Sequence, residues 1–176
     1  MKKNTKQIVI TALFSALTCI LSVITIPIPF SPVSFTLSLL AVFLSGSFLP
    51  PVFAFLSQIV YLIIGAVGIP VFSGFRGGLS VFVGPTGGFL IAYPLMALTV
   101  ALFVRFARKH SFLFPLLGMI SANIICYILG TAVYCFSTNS DIITALSVTV
   151  LPFIIFDLIK AIIASSIRLS IIKRTK

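Results

Sequence analysis

Between Gly65 and Gly88 the chain gathers eight of its eleven glycines, two prolines and one arginine, with apolar sequence on both sides. No helix runs comfortably through such a stretch, since glycine loses the most backbone freedom on ordering and proline removes a donor and crowds the preceding turn. Backbone groups freed from a helix cannot face hydrocarbon. Beside a membrane they must be buried in protein, line a polar cavity or lie at the interface. A lid or wall over a substrate pocket meets that demand. A plain extramembrane connector is the other reading, but it needs neither this many glycines nor an arginine between apolar flanks.

The flanks are what make the membrane relevant. Of the 176 residues 60% are hydrophobic and 8% charged, and the mean hydropathy is +1.28, far from the balance of soluble domains. At about 20 apolar residues per crossing, the chain has room for about six helices. The expected fold is an all-α integral membrane protein, one transmembrane substrate-binding domain over residues 1–176 with six transmembrane helices.

A net charge of +10 could suggest nucleic acid, but the basic residues abut apolar segments instead of forming a soluble basic face. Lys2, Lys3 and Lys6 precede the first span, Arg105, Arg108 and Lys109 separate two later ones, and Arg168, Lys173, Arg174 and Lys176 close the chain. With six spans all of these fall on one side, which the positive-inside rule makes cytoplasmic, together with both termini. Cys19, Cys126 and Cys135 lack metal-ligand spacing and read as small apolar residues. The lysines before the first apolar run resemble a signal peptide, but Thr18 suits a cleavage site poorly, so an uncleaved first helix is expected.

In chain order, the expected spans are Ile8 to Ile24, Phe35 to Phe48, Val52 to Val67, Gly88 to Val104, Phe112 to Phe136 and Leu146 to Ile172. Ala12 and Ala16 stand four apart, a small-xxx-small pair that lets another helix approach closely, whether a partner or a neighbouring span. Ile26 to Ser34, with three prolines, reads as an extended external loop. Gln58 is expected to bond across helices. Gly87 and Gly88 would leave unpaired N–H groups at a helix start, pointing into the cavity. No Walker-type Gly-x-x-x-x-Gly-Lys-Ser/Thr is present.

Two charges stand inside an apolar helix, Asp157 and Lys160. Near a bilayer centre each costs about 2.5–3.5 kcal/mol on insertion scales, and such residues usually face the bundle interior and serve function. Three apart, they share a face and can neutralise each other, so an internal structural tie is the alternative to a ligand role. Arg76 is the only cation besides Lys160 outside the cytoplasmic group; it reads either as an interfacial arginine or as a ligand contact. Arg76 and Lys160 could hold a carboxylate while Asp157 accepts N–H bonds and phenylalanines wrap an apolar body. The chain's only histidine, His110, lies among basic residues, and its only acids are Asp141 and Asp157, so paired carboxylates and metal clusters cannot be assembled. Binding and passage, not catalysis, is the expectation.

The segments Gly68-Ile69-Pro70-Val71-Phe72, Gly77-Gly78, Gly84-Pro85-Thr86-Gly87-Gly88-Phe89 and Asp157-Leu158-Ile159-Lys160-Ala161 together resemble the BioY family, the biotin-specific S components of energy-coupling-factor (ECF) transporters. Pro32-Val33, Ala41-Val42, the Ala12/Ala16 pair and Tyr127-xx-Gly130 fit in order, so the likeness spans nearly the whole chain. The resemblance implies a six-helix S-component fold in a bacterial plasma membrane, with biotin held near the outer face under two external loops. It implies that Asp157 and Lys160 contact the vitamin, and that an EcfT-type transmembrane coupling subunit docks on Ala12 and Ala16 while two cytosolic EcfA-type ATPases power release. Biotin is then the transported ligand, with no cofactor. The chain departs from the pattern at Arg76, where a neutral polar residue such as Asn is the alternative, and at Ser38, where glutamine is common. The candidate substrate-binding set is Asp157, Lys160, Arg76, Gly77, Gly78, Thr86 and Tyr127. A vitamin S component of other specificity and a structural membrane protein are the competing readings.

Overall fold

A computed structural model describes residues 3–29, 31, 33–107 and 111–174. Lys2, Pro32, Arg108, Lys109, His110 and Lys176 lie outside the described residues, as does the side chain of Lys3. The elements in order are α1 (Lys3–Val23), β1 (Thr25–Ile26), β2 (Phe35–Thr36), α2 (Ser38–Phe48), α3 (Pro51–Ala66), α4 (Ser80–Val83), α5 (Gly87–Phe106), α6 (Leu113–Thr138), α7 (Ile142–Thr149) and α8 (Ile154–Arg174).

Three of these helices, α1, α5 and α6, are long and apolar enough to cross a membrane unaided, and α7 with α8 would make a fourth span bent by 50°. The apolar α2 and α3, of 11 and 16 residues, fall short of a full crossing. The Gly-rich stretch is not wholly irregular, since α4 gives it one helical turn. The extended loop between α1 and α2 is closed at its base by a two-residue antiparallel pairing, Thr25 with Thr36 and Ile26 with Phe35.

The last span departs most from expectation. Instead of one helix from Leu146 to Ile172, the chain breaks between Thr149 and Ile154. Pro152 has no N–H to give the carbonyl of Val148, four residues back. That carbonyl accepts instead from the hydroxyl of Ser31, at 2.6 Å, which seats the first loop against the break. α7 is capped at its start by the carboxylate of Asp141, which accepts from Thr144 N at 3.1 Å. α8 begins afresh, and Asp157 falls in its first turn, where the helix dipole favours a negative charge.

Packing inverts the soluble pattern. The exposed face of α1 carries Ile8, Leu13 and Ile20, with Ala12 and Ala16 among them, whereas Thr11, Ser15, Thr18 and Ser22 are buried against the bundle. Ser15 Oγ donates to the carbonyl of Ser57 at 2.7 Å, and Ser22 Oγ and Tyr61 Oη share a hydrogen bond of 2.7 Å. Gln58 bridges as expected, its Nε2 donating to Thr18 Oγ1 at 3.3 Å and to Ser45 Oγ at 3.1 Å. Since interhelical hydrogen bonds in membranes average about 0.6 kcal/mol, Gln58→Leu is expected to cost about 1 kcal/mol, read as a small drop in thermal unfolding temperature with the fold retained.

Small residues set the helix spacing. A Cβ at Gly46 of α2 would lie 2.7 Å from the carbonyl oxygen of Ala97 on α5, and one at Gly88 of α5 only 2.5 Å from that of Leu129 on α6. Backbones this close leave no room for a side chain. Gly87 and Gly88 therefore serve close approach, and the N–H of Gly87 is not free for a ligand because it donates to Gly84 O at 3.0 Å.

Candidate functional site

The break before α8, the Gly-rich stretch and the first loop converge on one cleft, of about 710 Å³ of empty space including its open mouth. Arg76, Thr86, Tyr127, Asp157 and Lys160 all line it, although they come from three separate parts of the chain, the Gly-rich stretch, α6 and α8. Gly77 and Gly78 are not among its lining residues. They shape the stretch instead: Gly78 has φ of +95° and its N–H donates to Gly65 O at 2.7 Å, while a Cβ at Gly77 would meet the carbonyl oxygen of Ile69 at 2.6 Å. Ala12 and Ala16 lie on the outer face of α1, away from the cleft.

Asp157 and Lys160 form a buried pair, Nζ to Oδ1 2.9 Å. The second carboxylate oxygen, Oδ2, accepts from Tyr127 Oη at 2.8 Å. Across the pair, Lys160 Nζ lies 4.2 Å from the centre of the Phe35 ring, which in turn meets Phe156 edge-on at 5.3 Å. A cation over an aromatic face keeps part of its stabilisation without water. The site thus presents one carboxylate, one ammonium and one phenol on a largely apolar wall, a few placed polar groups in a mostly hydrophobic hollow, as small-molecule pockets have.

A second polar group faces the same space. Thr36 Oγ1, Ser38 Oγ and Tyr93 Oη form a chain of two hydrogen bonds, each 2.6 Å, and both Thr36 and Tyr93 line the cleft. The Tyr93 ring stacks on Tyr61 at 6.1 Å, which keeps the phenol aimed inward. Cys126, which reads from sequence as a plain apolar residue, also lines the wall, as do Thr149 and Phe153. No spacing rule reaches these groups, because Ser38 and Tyr93 lie on different helices 55 residues apart. Among the described residues no group of three or more His, Cys, Asp or Glu could hold a metal.

The Gly-rich stretch covers the cleft through Phe72, which is 1% exposed and packs edge-on against Tyr61 and Phe82, each at 5.5 Å. Gly65 makes this possible, since any side chain there would occupy the space of the Phe72 ring. Phe72 and Arg76 pair through their backbones, and the Arg76 guanidinium turns back so that Nε donates to Ser73 O at 3.1 Å. The stretch is joined to β1 at Thr25, whose Oγ1 accepts from Gly74 N and bonds Ser73 Oγ, both at 3.3 Å. Arg76 is exposed as well as lining the cleft, so it stands at the mouth, unlike the buried pair.

Fold and site together define a multi-pass helical membrane protein with a lidded, mostly apolar cleft that holds a buried carboxylate–ammonium pair. The BioY family model matches residues 1–176, and the chain belongs to the BioY family. It is 39% identical over 168 residues to the biotin transporter BioY of Thermotoga maritima, covering 96% of each chain. It is 40% identical over 162 residues to the probable biotin transporter BioY of Bacillus subtilis, covering 91% of this chain and 87% of that one. Among solved structures it is similar to the S-component for biotin from an ECF-type ABC transporter, with a TM-score of 0.89 and 28% identity over 98% of this chain and 95% of that one. The S component of a bacterial ECF transporter at 19% identity and a TM-score of 0.61 shares the fold.

Proposed function

We propose that this chain captures biotin and serves as the substrate-specificity subunit of an ATP-driven ECF importer. The observation that carries the reading is the buried Asp157–Lys160 pair with the half-buried Tyr127 bonded to it, opened into an apolar cleft by the break at Pro152, in a chain of the BioY family. Biotin has a ureido ring with N–H donors and a carbonyl acceptor, and a valerate carboxylate on an apolar frame. Asp157 can accept N–H bonds, Lys160 and the Thr36–Ser38–Tyr93 hydroxyls can meet oxygen, and the phenylalanines can enclose the carbon frame. Biotin titration of the purified chain in detergent tests this. Saturable one-to-one binding is the expected result, and a folded chain that binds no biotin overturns it.

Arg76 at the mouth is the group assigned to the valerate end. Because it is solvent-exposed, its contribution is that of a screened charge, about 1 kcal/mol or less. Arg76→Ala is therefore expected to weaken biotin binding up to about fivefold, less at high salt. Affinity that does not change at low salt would remove Arg76 from the site.

This reading takes α2 and α3, short as they are, as two of six spans with both termini in the cytoplasm of a bacterium, and the basic residues at the two ends and between α5 and α6 support it. The exposed Ala12/Ala16 face of α1 is the proposed docking strip for the EcfT-type coupling subunit, itself driven by two EcfA-type ATPases. Ala12→Leu with Ala16→Leu is expected to leave biotin binding within about twofold, since these surface positions are away from the cleft. Biotin uptake by cells containing the whole transporter should be lost. Normal uptake would move the docking strip elsewhere. If neither biotin binding nor biotin uptake is found, an S component for another vitamin and a non-transport structural role are the readings left.

A further inference from the structure

We propose that the outer face of the Gly-rich lid is seated in the bilayer interface, so that membrane lipid is the lid's second partner beside the cleft. This does not depend on which solute the cleft takes. The segment between α3 and α5 is apolar on both sides. Phe72, Val71, Val81 and Phe82 pack inward on the core, whereas Val67, Ile69, Phe75, Leu79 and Val83 are between 51% and 79% exposed. Leu79 and Val83, four residues apart across the single turn of α4, share a face. No acidic residue occurs in the segment. A loop facing water is ordinarily rich in polar residues, and a cluster of exposed apolar side chains marks an interaction surface.

Two further observations identify lipid as the occupant. The outward apolar surface is continuous with the faces of the flanking helices: Val60 and Ile63 are exposed on α3, Ile91 and Leu95 on α5, and the lid begins and ends directly on them. In a multi-pass protein those faces meet acyl chains. At the tip, Phe75 holds φ of +57°, a left-handed conformation that is a genuine outlier for a bulky residue, and its ring is 70% exposed. In water the fold would bear both the strained backbone and an exposed aromatic ring. In the interface the ring is buried in lipid, which offsets the strain. The lid therefore closes between two apolar surfaces, and lifting it off the cleft requires moving its outer residues within the bilayer.

The chain contains no tryptophan, so single reporters can be placed without background. Phe75→Trp and Val83→Trp would be reconstituted in phosphatidylcholine vesicles, with Thr138→Trp at the exposed end of α6 as the reference. Emission from Phe75→Trp and Val83→Trp is expected to be blue-shifted relative to the reference, largely lost with lipids brominated near the headgroup and little affected by aqueous iodide. Thr138→Trp should show the reverse. Iodide quenching of both lid reporters, with no effect of brominated lipid, overturns the proposal. Two independent positions keep the test decisive should either variant fail to fold.

Discussion

Lys160→Ala is expected to abolish measurable biotin binding and to lower stability by about 3–5 kcal/mol, because it leaves a buried carboxylate without its cation. Asp157 keeps only the Tyr127 hydroxyl, at 2.8 Å, as a partner in the variant. Loss of binding alone would not separate a ligand contact from a structural tie, since both roles fail together when the pair is split. The double variant Asp157→Asn with Lys160→Met separates them. It removes both charges, fills similar volume and leaves Tyr127 an acceptor, so most of the stability should return. Binding should not, because neither the carboxylate nor the ammonium is left to meet the ligand's polar ends. Thermal unfolding in detergent and biotin calorimetry on the three proteins check this. A double variant that binds biotin like the parent would make the pair a structural tie.

The second large effect is expected at Gly88. Its Cβ position lies 2.5 Å from the carbonyl oxygen of Leu129 and 2.7 Å from Val133 Cβ, and the first of these is backbone of the neighbouring helix. A flexible side chain could move aside; a helix carbonyl cannot. Gly88→Val is therefore expected to push α5 from α6 at a cost of about 3 kcal/mol, the upper part of the usual overpacking range. Phe89 and Tyr93 ride on α5 and line the cleft, so biotin affinity should fall with stability. Gly84→Ala is the control. Its nearest neighbours, Val81 O and Ser80 O, stand at 3.5 and 3.8 Å and its φ is −75°, so a methyl group makes ordinary contact and the change should stay within about 0.5 kcal/mol. Equal losses at both positions would show that glycine serves flexibility here, not helix approach.

The contrast at Gly87 and Gly88 illustrates what a sequence hides. Adjacent glycines at a helix start suggest exposed N–H donors, yet a Gly87 Cβ would run into the Phe82 carbonyl and Gly88 abuts α6. The same two letters serve as an anion cradle or as a packing contact depending on what lies opposite, and nothing in the local sequence records that. Gln58 was legible for the opposite reason. A buried amide in an apolar helix must find partners, and the bundle interior is the only place that has them.

Asp157 shows the division most clearly. That a carboxylate and an ammonium three residues apart on an apolar helix would face inward and pair followed from their cost in a bilayer and from helical spacing. That the carboxylate opens α8 instead of sitting mid-span depended on how Pro152 is accommodated, by a hydroxyl on Ser31, 117 residues from the carbonyl it satisfies. The sequence by itself determined the solvent this protein folds in, the place where helix must give way to lid, and the one charged pair that had to be sheltered. All three are set by properties of a residue and its neighbours within a few positions. Tertiary structure alone decided that Thr36 and Tyr93 share the cleft with that pair, since they reach it only through packing between segments far apart in the chain, and no local periodicity carries that information.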